Sequence, residues 1–242
     1  MTTNDRLDIL VAQWAALGVF FGSEPDATTP DLERLLLGTA QHGPAMPRLF
    51  EMAVTWLHLY GDLVAKHRLK RLIRDELSPE HRPVLGLLLD IAQEGSHPPE
   101  FLSVVRLLEP APKPRPLFDV QRAPELAALA KRTATERSIA WNLWCPPLRN
   151  KLSAIRPAWW MMARNPELVL RADFRGDLRA SIIASLKHDA GSGASELRLA
   201  AMAGGSRAQV RAALRNLEMT GRVAIRSAQG ANRREIALTI AA

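Results

Sequence analysis

Across the first 165 residues apolar side chains recur at helical spacing and never alternate over the length of a strand; the period falls to two only after Gly221. Such a chain folds mainly as α-helices, and proline and glycine mark where each ends. Residues 5–21 carry Leu7, Leu10, Val11, Trp14, Leu17 and Phe21 behind an Asn4 cap. Thr29-Pro30-Asp31 opens a helix over 30–41, with proline at the first helical position. A helical stretch from Pro47 to Leu77, broken near Gly61, ends in the basic run Lys66-His67-Arg68-Leu69-Lys70-Arg71. Further helices are predicted over 79–94, 99–108 and 123–144, the last stopped by Cys145-Pro146-Pro147. Between the last two, proline at every second position from Pro110 to Pro116 predicts an extended spacer over 109–117, because proline biases the residue before it away from helix. Trp141, Trp144, Trp159 and Trp160 fall close together, which points to core or a subunit interface.

The length, 242 residues, suits two domains. One cysteine excludes an internal disulfide framework and fits a reducing compartment. Every apolar run is interrupted short of the ~18 residues a membrane span needs, and the first residues carry no cationic leader with an apolar stretch behind it. The chain therefore reads as cytoplasmic, with no membrane partner. Its net charge of +7 is unevenly placed: residues 1–172 hold 21 basic and 19 acidic side chains, residues 173–242 hold 11 and 6. Within 206–234 seven arginines face one acid, Glu218. That asymmetry predicts a polyanion partner for the C-terminal part, against the plainer reading of a solvated basic face.

The texture changes from residue 173. A helix over 177–188 turns Leu178, Ile182, Ile183 and Leu186 inward, and Ser195 caps a second over 196–203. After Gly204-Gly205, Ser206-Arg207-Ala208-Gln209 matches a capping box opening a third helix, which buries Val210, Ala213, Leu214 and Leu217. Arg207, Arg211 and Arg215 recur every four residues along one flank of that helix. Val223 and Ile225, then Ile236, Leu238 and Ile240, alternate with other residues around a Gly/Asn loop, the pattern of a β-hairpin.

Three helices, a glycine turn and a basic hairpin spell a winged helix-turn-helix. The stretch from Leu199 to Val223 resembles that of GntR-type and related bacterial winged-helix transcription regulators, through Gly204, Ser206-Arg207, Val210, Ala213-Leu214, Leu217-Glu218 and Gly221. It departs from them at Gly205, where those proteins carry an apolar residue, and in lying C-terminally; the likeness covers the last ~70 residues and not their ligand-binding domains. The resulting expectation is an all-helical domain over 1–165, serving assembly or sensing, followed by a winged-helix domain over 173–242 that binds double-stranded DNA. The resemblance implies DNA contact by Arg207 and Arg211, at the end of the third helix that reaches base edges. Ser206 and Gln209 are further candidates, Arg215 is placed for phosphate, and Arg226, Arg233 and Arg234 belong to the wing. Arg222 reads as a helix-terminal charge.

Nothing in the chain carries a phosphate-binding glycine loop, a nucleophile elbow or a zinc-protease motif, and the six histidines lack ligand spacing. Neither cofactor nor metal is expected, and no catalytic residue is assigned. Two other classes stay compatible with the residues: a winged helix used as a protein-docking platform, and an enzyme in the helical part tethered to a DNA reader. Because one recognition helix reads only a short site, a homodimer formed through residues 1–165 is expected.

Overall fold

The computed structural model describes residues 2–22, 25, 28–95, 99–227 and 234–239. The first half runs α1 (Thr3–Ala16), α2 (Leu32–His42), α3 (Pro47–Tyr60), α4 (Lys66–Glu76), α5 (Arg82–Ala92), α6 (Leu102–Val105), β1 (Arg115–Pro116), α7 (Pro124–Thr133), α8 (Glu136–Ala140) and β2 (Leu143–Trp144). The second runs α9 (Ala158–Arg164), α10 (Pro166–Ala172), α11 (Leu178–His188), α12 (Glu196–Ala203), α13 (Arg207–Met219), β3 (Val223–Ser227) and β4 (Arg234–Leu238). The chain is mainly helical, and among the described residues no helix is long and apolar enough to cross a membrane.

Local signals place most of these elements, with four differences. Asp31, not Thr29, caps α2, so Pro30 precedes the helix instead of opening it. Thr2, not Asn4, caps α1, because Thr2 and Asp5 close a capping box. The helix expected over 123–144 breaks at Ala134, where Thr135 Oγ1 accepts from Ser138 N and starts α8 afresh. The proline-rich segment is extended but is no free spacer. Three of its N–H groups are tied down: those of Ala111, Arg115 and Leu117 donate to the carbonyls of Trp141, Asn142 and Trp144, and β1 pairs parallel with β2. Leu117 and Phe118 are buried beside it.

The chain divides into two compact units, Met1–Gly61 with Glu76–Met161, and Asp62–Asp75 with Met162–Ala242. The core of the first holds Trp14 and Trp56, both wholly buried, with rings meeting edge to face at 5.6 Å. Their indole N–H groups donate to Thr39 Oγ1 and the Leu17 carbonyl, so neither buried donor is left unmet. The four tryptophans expected to share a neighbourhood have different surroundings. Trp141 is buried with its N–H on Asp90, Trp144 lies under Lys131, Trp160 stacks with Arg156, and Trp159 is 71% exposed.

The second unit begins earlier than the boundary expected near residue 165, since residues 62–75 pack with the C-terminal elements. The reason is electrostatic. Asp189, just past α11, is buried, and both of its oxygens accept from the equally buried Arg68 guanidinium at 2.9 and 3.0 Å. Arg71, one turn along α4, donates to the same carboxylate at 3.2 Å and to the Met202 carbonyl. Arg171 of α10 is wholly buried too; it lies near Glu167 and donates to the Leu63 carbonyl. Glu167 Oε1 also lies 3.0 Å from His188 Nε2; burial pushes its carboxyl up, but His188 and Arg171 outweigh this and hold it below the usual range. Around these pairs Ile182, Ile183, Leu199, Val210, Leu214, Leu217, Val223 and Ile236 form one apolar core. Removing one partner of a buried ion pair costs about 3–5 kcal/mol. Asp189→Asn is therefore expected to lower stability by about that much, read from the urea midpoint; a loss below about 1 kcal/mol would show that the pair behaves as a solvated one.

Candidate nucleic-acid interface

In the second unit α11, α12 and α13 pack on one core, and β3 and β4 follow as an antiparallel hairpin with Val223 opposite Leu238 and Ile225 opposite Ile236. The turn between α12 and α13 is tightly specified. Gly204 has φ +78°, and a Cβ there would lie 2.3 Å from the His67 carbonyl oxygen, so α4 lies directly on the turn. At Gly205 a Cβ would meet both Leu178 methyls at 2.8 and 2.9 Å. Leu178, from α11, fills the space that an apolar residue at 205 would occupy.

Ser206 caps α13. Its Oγ accepts from Gln209 N and Gln209 Oε1 accepts from Ser206 N, at 3.3 and 3.0 Å, so both serve the cap, and both residues are exposed. Arg207, Arg211 and Arg215 are exposed on one flank of α13. They line an open groove of about 690 Å³ bounded by the first turn of α12 and by Ile225 of β3, with Leu197 and Leu214 as its apolar lining. Arg226 is exposed on β3, in register with Glu235. Arg234 opens β4 opposite Ser227, and Arg233 lies outside the described residues. Arg222 does not join this face. Its guanidinium pairs with Asp173, donates to the Leu170 carbonyl and sits 5.1 Å from the Phe174 ring.

Sequence reasoning missed Glu196. Its Oε2 accepts from Arg211 Nε and Nη2 at 3.0 and 2.9 Å and lies 3.7 Å from Arg207 Nε. It lies just outside the arginine-rich window, and only the crossing of α12 and α13 brings it to these arginines. The second consequence of folding is the charge. The second unit carries 18 basic and 9 acidic side chains, whereas the first carries 14 and 16, so the basic excess lies wholly in the unit that holds α13.

No protein family's sequence profile, no curated protein and no solved structure matches the chain. Burial pushes the Cys145 thiol up to about 12, so it is protonated at neutral pH. Among the described residues no three of His, Cys, Asp and Glu cluster as metal ligands.

His67, at the turn, is held below the usual imidazole range by burial first and by the Lys70 and Lys66 charges, with the Gly204 backbone and Asp177 pulling the other way. A histidine whose folded pKa lies below its unfolded value of ~6.5 leaves stability unaffected above that pH. As the pH falls through that value the unfolded chain binds the proton first, and stability drops. His67→Gln is expected to flatten the loss of Tm between about pH 7 and 5. His42 and His81, lowered chiefly by burial, leave a residual slope. An unchanged slope would show that His67 titrates normally.

Proposed function

We propose that residues 162–242, completed by 62–75, form a winged helix that binds duplex DNA, and that the protein is a transcriptional regulator. The observation that carries this reading is the row Arg207, Arg211 and Arg215 on the exposed flank of α13, in a unit with nine more basic than acidic side chains. An α-helix fits the major groove, and an arginine donates two bonds to guanine O6 and N7. Arg207 and Arg211 occupy the first turns of α13, the end that reaches base edges, while Arg215 and Arg226 suit the backbone, and Arg233 and Arg234 are proposed as further phosphate contacts.

Glu196 refines the reading. By accepting from the Nε and Nη2 of Arg211 it holds one edge of the guanidinium and leaves Nη1 and the outer Nη2 hydrogen for a base. It also neutralises part of the charge that would otherwise attract any phosphate.

Titration with random-sequence duplex DNA at several salt concentrations tests the function. With four to six phosphates neutralised, log K falls against log salt with a slope of about −4 to −5. A salt-independent affinity, or none at low salt, would overturn the reading.

Two substitutions in the full chain separate the roles. Arg211→Ala is expected to cost ~1–3 kcal/mol on a site selected from a random pool and to relax preference at one base position, with a smaller loss on random DNA. Glu196→Gln is expected to do the reverse on random DNA, tightening it several-fold while narrowing the gap between selected and random sites. Equal losses on both DNAs for Arg211→Ala would make it a phosphate contact only.

A further inference from the structure

Helix α4 joins the second unit from about a hundred residues upstream, and its two faces have different fates. Leu69, Leu72 and Ile73 are buried, and Arg68 and Arg71 are spent on Asp189. Lys66 and Lys70, one helical turn apart, are partly exposed instead. The buried carboxylate therefore engages the arginines of the run Lys66–Arg71, while its lysines stand partly in solvent.

The position of these lysines is informative. The carbonyl of His67, between them on α4, is the atom that Gly204 packs against, and Gly204 opens the turn into Ser206 and Arg207. The lysines therefore stand on the element that abuts the start of α13. Lys66 Nζ donates to the Arg175 carbonyl at 3.2 Å, which brings a third cationic residue, itself exposed, to the same place. Arg175 has φ +46°, a left-handed conformation uncommon for a residue with a side chain. Among the described residues no carboxylate pairs with Lys70. The charged groups felt at His67 are Lys66, Lys70 and, on the acidic side, Asp177 alone. Burial and then the neighbouring Lys66 charge hold the Lys70 ammonium below the usual lysine range.

We propose that Lys66 and Lys70, with Arg175, form a second phosphate-binding row beside α13, so that α4 belongs to the DNA interface as well as to the core. The row grips the backbone of the duplex whose major groove α13 enters. Residues one turn apart on a helix stand about 5–6 Å from each other, a spacing that lets two ammonium groups engage neighbouring phosphates of one strand. Their contribution is sequence-independent, because phosphate contacts position a protein on DNA while base contacts specify the site. This inference rests on the DNA reading above.

The test compares the full chain with Lys66→Ala/Lys70→Ala and Lys66→Arg/Lys70→Arg on a random-sequence duplex of about two helical turns. Each phosphate contact contributes about 0.9 to the salt slope, so the alanine pair is expected to make the slope shallower by about 1.8 and to weaken low-salt binding on the order of tenfold. The arginine pair is expected to restore both, and the ratio of selected-site to random affinity is expected to hold in all three. Lys70→Gln alone, which leaves the Lys66 contact with the Arg175 carbonyl in place, is expected to change the slope by about 0.9 and serves if the double variant unfolds. Wild-type slope and affinity in these lysine variants would overturn the second row and leave the DNA reading standing. A wild-type chain whose duplex binding does not respond to salt would overturn that reading, and the row with it.

Discussion

The carboxylate of Asp189 organises the C-terminal half of this protein. It is buried, where an unpaired charge is costly, and it is satisfied by two arginines that arrive on a helix from another part of the chain. A buried ion pair of this kind adds little stability over a well-packed apolar replacement. Its use here is in selection: few surfaces other than the Arg68–Arg71 face of α4 can meet that carboxylate, so the pair dictates which helix closes the unit. The Gly204 contact then follows, since docking α4 brings the His67 carbonyl onto the turn before α13.

That docking matters for the candidate interface because the turn aims the helix. With Gly204 against α4 and Gly205 against Leu178, the start of α13 is held from two sides, and its capping box satisfies the first free N–H groups. The arginine flank thus projects from a rigid base instead of a loop. Glu196 adds a second level of order by bridging α12 to Arg211 and drawing in Arg207. Exposed ion pairs contribute little to stability, so the effect of Glu196 falls on where the guanidinium points and how strongly the surface attracts anions.

Much of this was legible in the sequence where the cause is local. The caps at Ser195 and Ser206, the stop at Gly221, the buried set Val210, Leu214 and Leu217 and the change of period into the hairpin all lie within a few residues of what they control. The arginine flank was legible for the same reason, because a spacing of four places side chains on one side of any helix. Readings failed where a distant partner decided the outcome. The proline-rich segment looked like a spacer, since its own residues cannot reveal that the carbonyls of Trp141, Asn142 and Trp144 await its N–H groups. The tryptophans looked like a cluster because they are neighbours in the chain, yet Trp141 is buried with its N–H on Asp90 while Trp159 of α9 is exposed.

The sequence by itself determined the helical character of the chain, the limits of α12 and α13, the hairpin and the identity of the exposed arginines. All of these follow from capping, periodicity and turn chemistry acting over three or four residues. Only the tertiary structure decided that α4 belongs with the C-terminal elements, that Arg68 is buried while Lys70 is not, and that Glu196 meets Arg211. The Arg68–Asp189 bonds join residues 121 positions apart. A basic run reads the same in sequence whether its charges face water or a buried carboxylate, because burial depends on which surface packs against it.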